Sequence, residues 1–219
     1  MVKKILIIMK KHGIIRGTRI LFQEFKNLAG FQSKDIFVLY NFLTFPKKEP
    51  LLDIIIKNNS VLWFIPDFGI GSGGHLNIFR MIHNLEKLEV TSDLAICGTS
   101  QWINENIARD TICKNFFSIK SKIFFVNSLS DIEKLPSYKI AFATSWETAY
   151  FVNTFSNCAK KAYFVQDFEP YFYPVGSRYI FAENTYKFAF EGVTAGSWLS
   201  HKLSKEYGMK CIDYTFSYD

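Results

Sequence analysis

The chain has 219 residues, of which 48% are hydrophobic and 17% aromatic, and only six are prolines. This composition excludes an intrinsically disordered protein, and the length suffices for one good core or for one large and one small domain. The positive charge is uneven, because residues 1–50 carry ten Lys or Arg and three Asp or Glu, whereas residues 51–219 carry sixteen and seventeen. A uniformly basic nucleic-acid-binding protein is therefore disfavoured, and we expect no nucleic-acid partner.

Residues 1–50 form a basic N-terminal segment, in which the spacing predicts a helix over 14–29, a strand over 36–42 and a loop over 45–50. The apolar run at 5–9 is closed by Lys10, so it is too short for a secretory signal, and no stretch reaches the ~20 apolar residues of a membrane span. The four cysteines lack C-x-x-C spacing, which is typical of free thiols in a reducing cytosol. We expect a cytoplasmic protein whose basic segment either contacts the anionic inner face of the cell membrane, as a peripheral membrane protein, or is a solvated lysine-rich face.

From residue 60 onward, predicted strands alternate with predicted helices. The strands are 61–65, 94–97, 122–126, 139–144, 161–166, 192–196 and 210–216, and the helices are 75–88, 101–113, 130–135, 146–155, 178–188 and 197–208. Capping boxes are predicted at Ser130 with Glu133 and at Thr144 with Glu147, and a C-cap at Gly208. Strands that are apolar on both faces predict an α/β, Rossmann-like fold, with a mainly parallel sheet and helices on both faces. Ligands of such sheets bind beyond the carboxyl ends of the strands.

A glycine-rich loop lies between the first of these strands and the helix that follows it. Gly69, Gly71 and Gly74 fit the pattern G-x-G-x-x-G of dinucleotide-binding folds. That pattern also needs an acidic residue at the end of the second strand, where this chain has Gly98 and two hydroxyl residues. A Walker A motif is absent too, because no Lys follows the glycines. Backbone N–H groups at a helix N-terminus still favour an anion, and a diphosphate is the natural ligand; the alternative is a loop that only makes a tight turn.

Four segments carry a resemblance to a known family: PDFGIGSGGHLNIFRMIHNLE, ATSWETAYFV, FVQDFEPYFYPVGSRYIFAENTY and VTAGSWLSHKL. In this order they resemble the WsaF-like rhamnosyltransferases of bacterial surface-polysaccharide synthesis. The resemblance implies a GT-B glycosyltransferase, in which two Rossmann-like domains face each other across a cleft. It implies a retaining transferase without metal or cofactor, whose N-terminal domain holds the saccharide or lipid-linked saccharide acceptor and whose C-terminal domain holds a nucleotide-sugar such as dTDP-rhamnose.

On this resemblance, residues 51–219 would be the acceptor-binding domain, and we expect the donor-binding domain to be absent from the chain, which alone would not complete a catalytic cycle. The donor diphosphate is expected at Gly71, Ser72, Gly73, Gly74 and His75. The carboxylates expected to assist sugar transfer are Asp167 first and Glu169 second; the alternative is that one of them caps the next segment or pairs with Arg178. Trp146, Glu147, Tyr171 and Tyr173 are expected to bind the acceptor or, alternatively, to cap and pack.

Two other functions remain open at this point. The chain could be a stand-alone sugar-binding subunit that pairs with a separate donor-domain chain. It could also be a nucleotide-binding oxidoreductase, although the missing ribose acid weakens that interpretation.

Overall fold

The computed structural model describes residues 40–51, 56 and 58–215, and it divides the chain into one unit of residues 1–44 and another of residues 45–219. The predicted helix 14–29 and residues 36–39 of the predicted strand lie outside the described residues. In the first unit, Asn41–Thr44 form a 3-10 turn, in which the Thr44 hydroxyl donates to the Asn41 carbonyl at 2.7 Å. The strand prediction is therefore wrong for residues 40–42, because local hydrogen bonds close a turn there.

The second unit is built on one sheet. Its strands are β1 (Ser60–Pro66), β2 (Thr91–Cys97), β3 (Ile123–Val126), β4 (Tyr138–Ala143), β5 (Cys158–Val165), β6 (Glu191–Ala195) and β7 (Cys211–Tyr214). Every pairing is parallel, and the spatial order is β3-β2-β1-β4-β5-β6-β7. The predicted Rossmann-like fold is confirmed. The strand order reverses between β1 and β4, which makes that point the topological switch where ligands of such sheets bind.

Six α-helices connect the strands within the described residues. They are α1 (Gly73–Lys87), α2 (Glu105–Asn115), α3 (Leu129–Glu133), α4 (Trp146–Thr154), α5 (Ser177–Thr185) and α6 (Ser197–Tyr207), and a 3-10 turn covers Glu169–Phe172. Every helix predicted after residue 60 is present, although α2 begins later than expected because Asn104 caps it and accepts from the Ile107 N–H at 3.0 Å. No helix of the described ranges is long and apolar enough to cross a membrane.

Two predicted capping boxes are wrong in their residues. The box of α3 is formed by Ser128 with Asp131, and that of α4 by Ser145 with Thr148. Ser128 and Ser145 have the extended backbone that an N-cap needs. In each box the side chain of the third helical residue accepts a hydrogen bond from the backbone N–H of the N-cap serine. The predicted C-cap of α6 is confirmed, because Gly208 adopts a left-handed conformation with φ 68°.

The hydrophobic core lies on both faces of the sheet. On one face Val61, Trp63 and Ile65 of β1 pack with the buried side of α1, whose Phe79 and Ile82 are fully buried. On the other face Phe64 contacts Phe155 at the end of α4, with ring centroids 5.5 Å apart. Because successive residues of a strand point to opposite faces, β1 needs apolar residues at every position, and its burial on both sides fixes its place at the sheet centre. The loops that follow the strands therefore meet at one edge, which we call the carboxyl edge.

Candidate functional site

The loops after β1 and β2 are tied together at the carboxyl edge. The Asp67 carboxylate accepts from the Ser100 hydroxyl at 2.8 Å and from the Gln101 N–H at 3.1 Å. The Gln101 side-chain amide in turn donates to the backbone carbonyl of Phe68 at 2.8 Å. Its place directly after a buried strand makes Asp67 a residue to inspect, but the sequence assigned it no site role. Both of its carboxylate oxygens are engaged by the loop after β2, so Asp67 fixes the start of the glycine loop.

The glycine loop leads directly into the first turn of α1. Gly71 has φ +85°, a conformation that favours glycine, and Ser72 is the N-cap, accepting from the His75 N–H at 3.5 Å. Gly73 and Gly74 are the first two helical residues, and a Cβ on Gly73 would meet nothing within 4 Å. Within the described part of the chain their N–H groups have no acceptor, because a first helical turn supplies none. This end of α1 is thus open to an anion.

His75 is mostly buried beside this loop. Its ring lies 6.2 Å from Phe68 and 6.1 Å from Phe79, and its Nδ1 is 2.9 Å from the Ser72 hydroxyl. Burial lowers the pKa of His75, against the opposing effects of the Pro66 carbonyl and Asp67, so the neutral imidazole is favoured at neutral pH. Its buried Nε2 has no hydrogen-bond partner among the described residues. This nitrogen lies in the interior, so the ring supports the loop from beneath and does not present Nε2 at the surface.

Gln166, at the end of β5, joins this loop to the QDFEP segment. Its side-chain amide nitrogen donates to the backbone carbonyl of Gly74 at 3.2 Å, and its side-chain oxygen accepts from the Asn77 side-chain amide at 3.2 Å. A Cβ on Gly74 would lie 3.5 Å from the nitrogen of the Gln166 side-chain amide, which is an ordinary van der Waals contact, so this hydrogen bond does not itself require a glycine. Gly71–His75 and Asp167 thus lie at the same sheet edge, where ligands of such sheets bind. Gln166 itself was missed, although it directly precedes Asp167 at a strand end.

Asp167 is exposed at this edge. One of its carboxylate oxygens accepts from the N–H of the next residue, Phe168, at 2.7 Å. The Tyr186 hydroxyl supports the backbone here, donating to the Asp167 carbonyl at 3.4 Å and accepting from the Glu169 N–H at 3.2 Å. The turn is thus held in place while the Asp167 carboxylate faces solvent.

Glu169 lies only two residues away but points inward. One oxygen accepts from the Tyr163 hydroxyl at 2.6 Å, and the other from the N–H of Trp146, the first residue of α4, at 3.0 Å. Burial raises the pKa of Glu169 to about 8, and the negative charges of Glu147 and Asp167 add to the rise, while these two hydrogen bonds oppose it. Glu169 therefore fixes the QDFEP turn and caps α4, which is an earlier helix and not the following segment that the alternative from sequence named.

The four acceptor candidates divide between interior and surface. Trp146 is 1% exposed, and its indole N–H donates to the Tyr173 hydroxyl at 3.0 Å. Burial raises the pKa of the neighbouring Glu147, and Arg178 opposes that rise. Tyr171 is 63% exposed. A contact between Trp146 and a sugar would need its packed neighbours to move, whereas Tyr171 already offers its ring.

No group of three or more His, Cys, Asp or Glu side chains placed to hold a metal ion occurs in the ranges that the structure covers.

Comparison with known proteins gives two matches. Residues 134–195 match the family model of the WsaF N-terminal domain. Over 136 residues the chain is 31% identical to the O-antigen biosynthesis protein RfbC of Myxococcus xanthus, and this alignment covers 60% of the chain and 10% of that relative. The chain thus spans about a tenth of the length of this curated relative. The resemblance to a WsaF-like N-terminal domain is confirmed, and the family match contains α4, β5 and the QDFEP turn.

Proposed function

We propose that this chain, similar to the WsaF N-terminal domain, is the acceptor-binding domain of a glycosyltransferase in surface-polysaccharide synthesis. In its finer form, the proposal is a retaining GT-B enzyme that transfers rhamnose from dTDP-rhamnose to a saccharide or lipid-linked saccharide. The family match and the name of the RfbC relative support the class. The observation that carries the proposal is the hydrogen-bonded junction of the glycine loop and the QDFEP turn through Gln166.

The glycine loop would receive the donor diphosphate. The N–H groups of Gly73 and Gly74 lie at the positive end of the α1 dipole, and two such donors suit phosphate oxygens. His75 would support this site from the interior, because its ring packs against Phe68 and Phe79 and its Nδ1 lies 2.9 Å from the hydroxyl of the N-cap Ser72. In this proposal the two N–H groups stabilise the leaving diphosphate without a resident metal or cofactor.

Asp167 would act on the acceptor. Its carboxylate is exposed at the same edge and can accept a hydrogen bond from the attacking hydroxyl. Because the proposed transfer is retaining, the hydroxyl would attack the anomeric carbon on the face from which the diphosphate departs. The new bond forms there as the bond to the diphosphate breaks, and the hydroxyl proton passes to Asp167. Glu169 holds the turn that presents Asp167, since both of its oxygens are already engaged.

The test is a transfer assay with the donor-binding half present, on the same polypeptide or on a separate one. Labelled dTDP-rhamnose should yield a glycosylated saccharide whose new linkage keeps the anomeric configuration of the donor, as read by NMR. Saccharide binding without turnover of any nucleotide-sugar would favour the stand-alone binding subunit. Tight binding of NAD(P)H, detected by cofactor fluorescence, would favour the oxidoreductase.

A further inference from the structure

Exposed aromatic side chains gather at the carboxyl edge beside the QDFEP turn. Tyr171 and Phe172 belong to the 3-10 turn after β5, and Trp198 is the second residue of α6, after β6; they are 63%, 59% and 58% exposed. The two loops are neighbours because β5 and β6 are adjacent parallel strands. Exposed apolar surface of this kind marks a binding surface more often than an accident of packing.

Lys202 orders two of these rings around one ammonium group. Its Nζ lies 4.4 Å from the centroid of the buried Phe168 ring, 5.5 Å from that of Tyr171 and 6.0 Å from that of Trp198. The same nitrogen pairs with Glu206 at 2.8 Å, and the Lys202 side chain is only 13% exposed. Cation–π attraction and this ion pair therefore hold the Tyr171 and Trp198 rings beside a fixed hydrogen-bond donor.

We infer that Tyr171, Trp198 and Lys202, which we call the aromatic platform, bind a pyranose ring of the saccharide acceptor. This inference rests on the proposed function. A pyranose presents an apolar C–H face, which suits an exposed aromatic ring, and a rim of hydroxyls, which suits an ammonium.

Charge and position favour a saccharide over other occupants. The ion pair with Glu206 balances the charge of Lys202, so the platform suits a neutral ligand better than an anionic lipid surface. Asp167 lies four residues before Tyr171 in the same turn region, so a sugar on the platform would lie near the proposed base. Trp102 and Trp146, which also follow strands at this edge, are covered by their own chain.

Tryptophan fluorescence isolates this platform. Trp63, Trp102 and Trp146 are at most 5% exposed, whereas Trp198 is 58% exposed, so acrylamide reaches Trp198 first. We would titrate the whole protein with defined tri- and tetrasaccharides of rhamnose, mannose, galactose and glucose. A bound saccharide should lower quenching to the level set by the three buried indoles. Tyr171→Ala and Lys202→Met should abolish this protection, whereas Leu88→Ala, at an exposed position outside the platform, should keep it.

Two outcomes would overturn the inference. One is that no saccharide of the panel shields Trp198. The other is that vesicles containing phosphatidylglycerol shield Trp198 and the saccharides do not, which would assign the surface to a membrane.

The transfer assay separates this inference from the proposed function. Trp198→Ala should raise the acceptor KM by about fivefold to tenfold and leave the donor KM unchanged, since stacking acts on the acceptor alone. Transfer with an unchanged acceptor KM would contradict the aromatic platform and leave the proposed transferase function intact. Saccharide shielding of Trp198 without any transfer would support the platform and contradict the transferase function.

Discussion

Two carboxylates two residues apart have opposite environments. The Phe168 side chain between them is 1% exposed, so the chain turns around a buried ring, with Asp167 left in solvent and Glu169 turned toward Tyr163 and the start of α4. An exposed carboxylate can accept a hydrogen bond from a ligand, whereas a carboxyl group with both oxygens engaged is suited to positioning. The two residues should therefore respond differently to the same isosteric change.

Asp167→Asn should lower kcat by about 10²–10⁴-fold, because general-base assistance is typically of that size. The fold should be unaffected, since Asp167 is exposed and an amide oxygen can still accept from the Phe168 N–H. Steady-state transfer kinetics would measure the effect, with thermal unfolding as the check on folding. Asp110→Asn, an exposed change on α2, is the matched control. Near-wild-type turnover of Asp167→Asn would remove Asp167 from the mechanism.

Glu169 should make stability depend on pH. Its folded pKa of about 8 lies above the unfolded value of about 4.3, so the folded state binds the proton more tightly. The resulting stabilisation is fully present below about pH 4 and is lost as pH rises through about 8. Glu169→Gln, which mimics the protonated acid, should flatten this part of the Tm profile between about pH 5 and 8 in differential scanning calorimetry. An unchanged slope in the variant would mean that other groups carry the pH dependence.

At the scale of elements, the glycine loop and the N-terminus of α1 form one structural unit. Ser72 caps the helix, and the two glycines after it keep the first N–H groups bare. A Cβ on Gly73 would point into open space in the free protein, which is the space that a ligand would need. Stability and binding therefore respond to this position in opposite directions.

Gly73→Ala should stabilise the protein slightly, by up to about 1 kcal/mol, because alanine loses less backbone entropy in a helix. It should also raise the donor KM and lower kcat/KM, because the added methyl group keeps the diphosphate from the backbone. Thermal unfolding and transfer kinetics would read the two effects. Asn84→Ala, at an exposed position of the same helix, should give a stability change without the kinetic one. Unchanged donor kinetics in Gly73→Ala would place the diphosphate elsewhere.

At the scale of the whole molecule, strand order brings distant segments together. The glycine loop and the QDFEP turn are separated by about ninety residues in sequence, yet Gln166 bonds to Gly74 across the carboxyl edge. This follows from parallel strands, all of which end at one edge, and from the reversal of order beside β1. The described core of residues 45–219 is built on this sheet.

A fragment of residues 45–219 should therefore fold by itself and unfold cooperatively on heating. Residues 1–44 carry eight Lys or Arg against two Asp or Glu, and we propose that they supply a contact with anionic membranes. The full chain should co-sediment with vesicles that contain phosphatidylglycerol, with affinity that falls as salt rises, and the fragment should not. Equal sedimentation of both would place the membrane contact outside residues 1–44, and absence of binding at low salt would leave a solvated basic face.

The sequence by itself determined the elements after residue 60 and the edge at which ligands should bind. Doubly apolar strands such as β1 can be satisfied only between two layers of helices, and parallel strands end together, so pattern alone predicts both. The left-handed cap at Gly208 was likewise local, since glycine adopts that conformation without strain. What these features share is that each depends on neighbours in the chain or on a period of the pattern.

Only the tertiary structure decided which side chains face the edge and which are covered. The residue types of Asp167 and Glu169, or of Trp146 and Trp198, do not reveal that Glu169 is partly buried and Trp146 fully buried while the other member of each pair is exposed. Burial depends on what the rest of the fold brings alongside. The capping residues differ from the predicted ones for a related reason, since the exact end of a strand decides which serine or threonine becomes the cap. Gln166 and Lys202 gained their roles from partners on other elements, and no local pattern encodes such contacts.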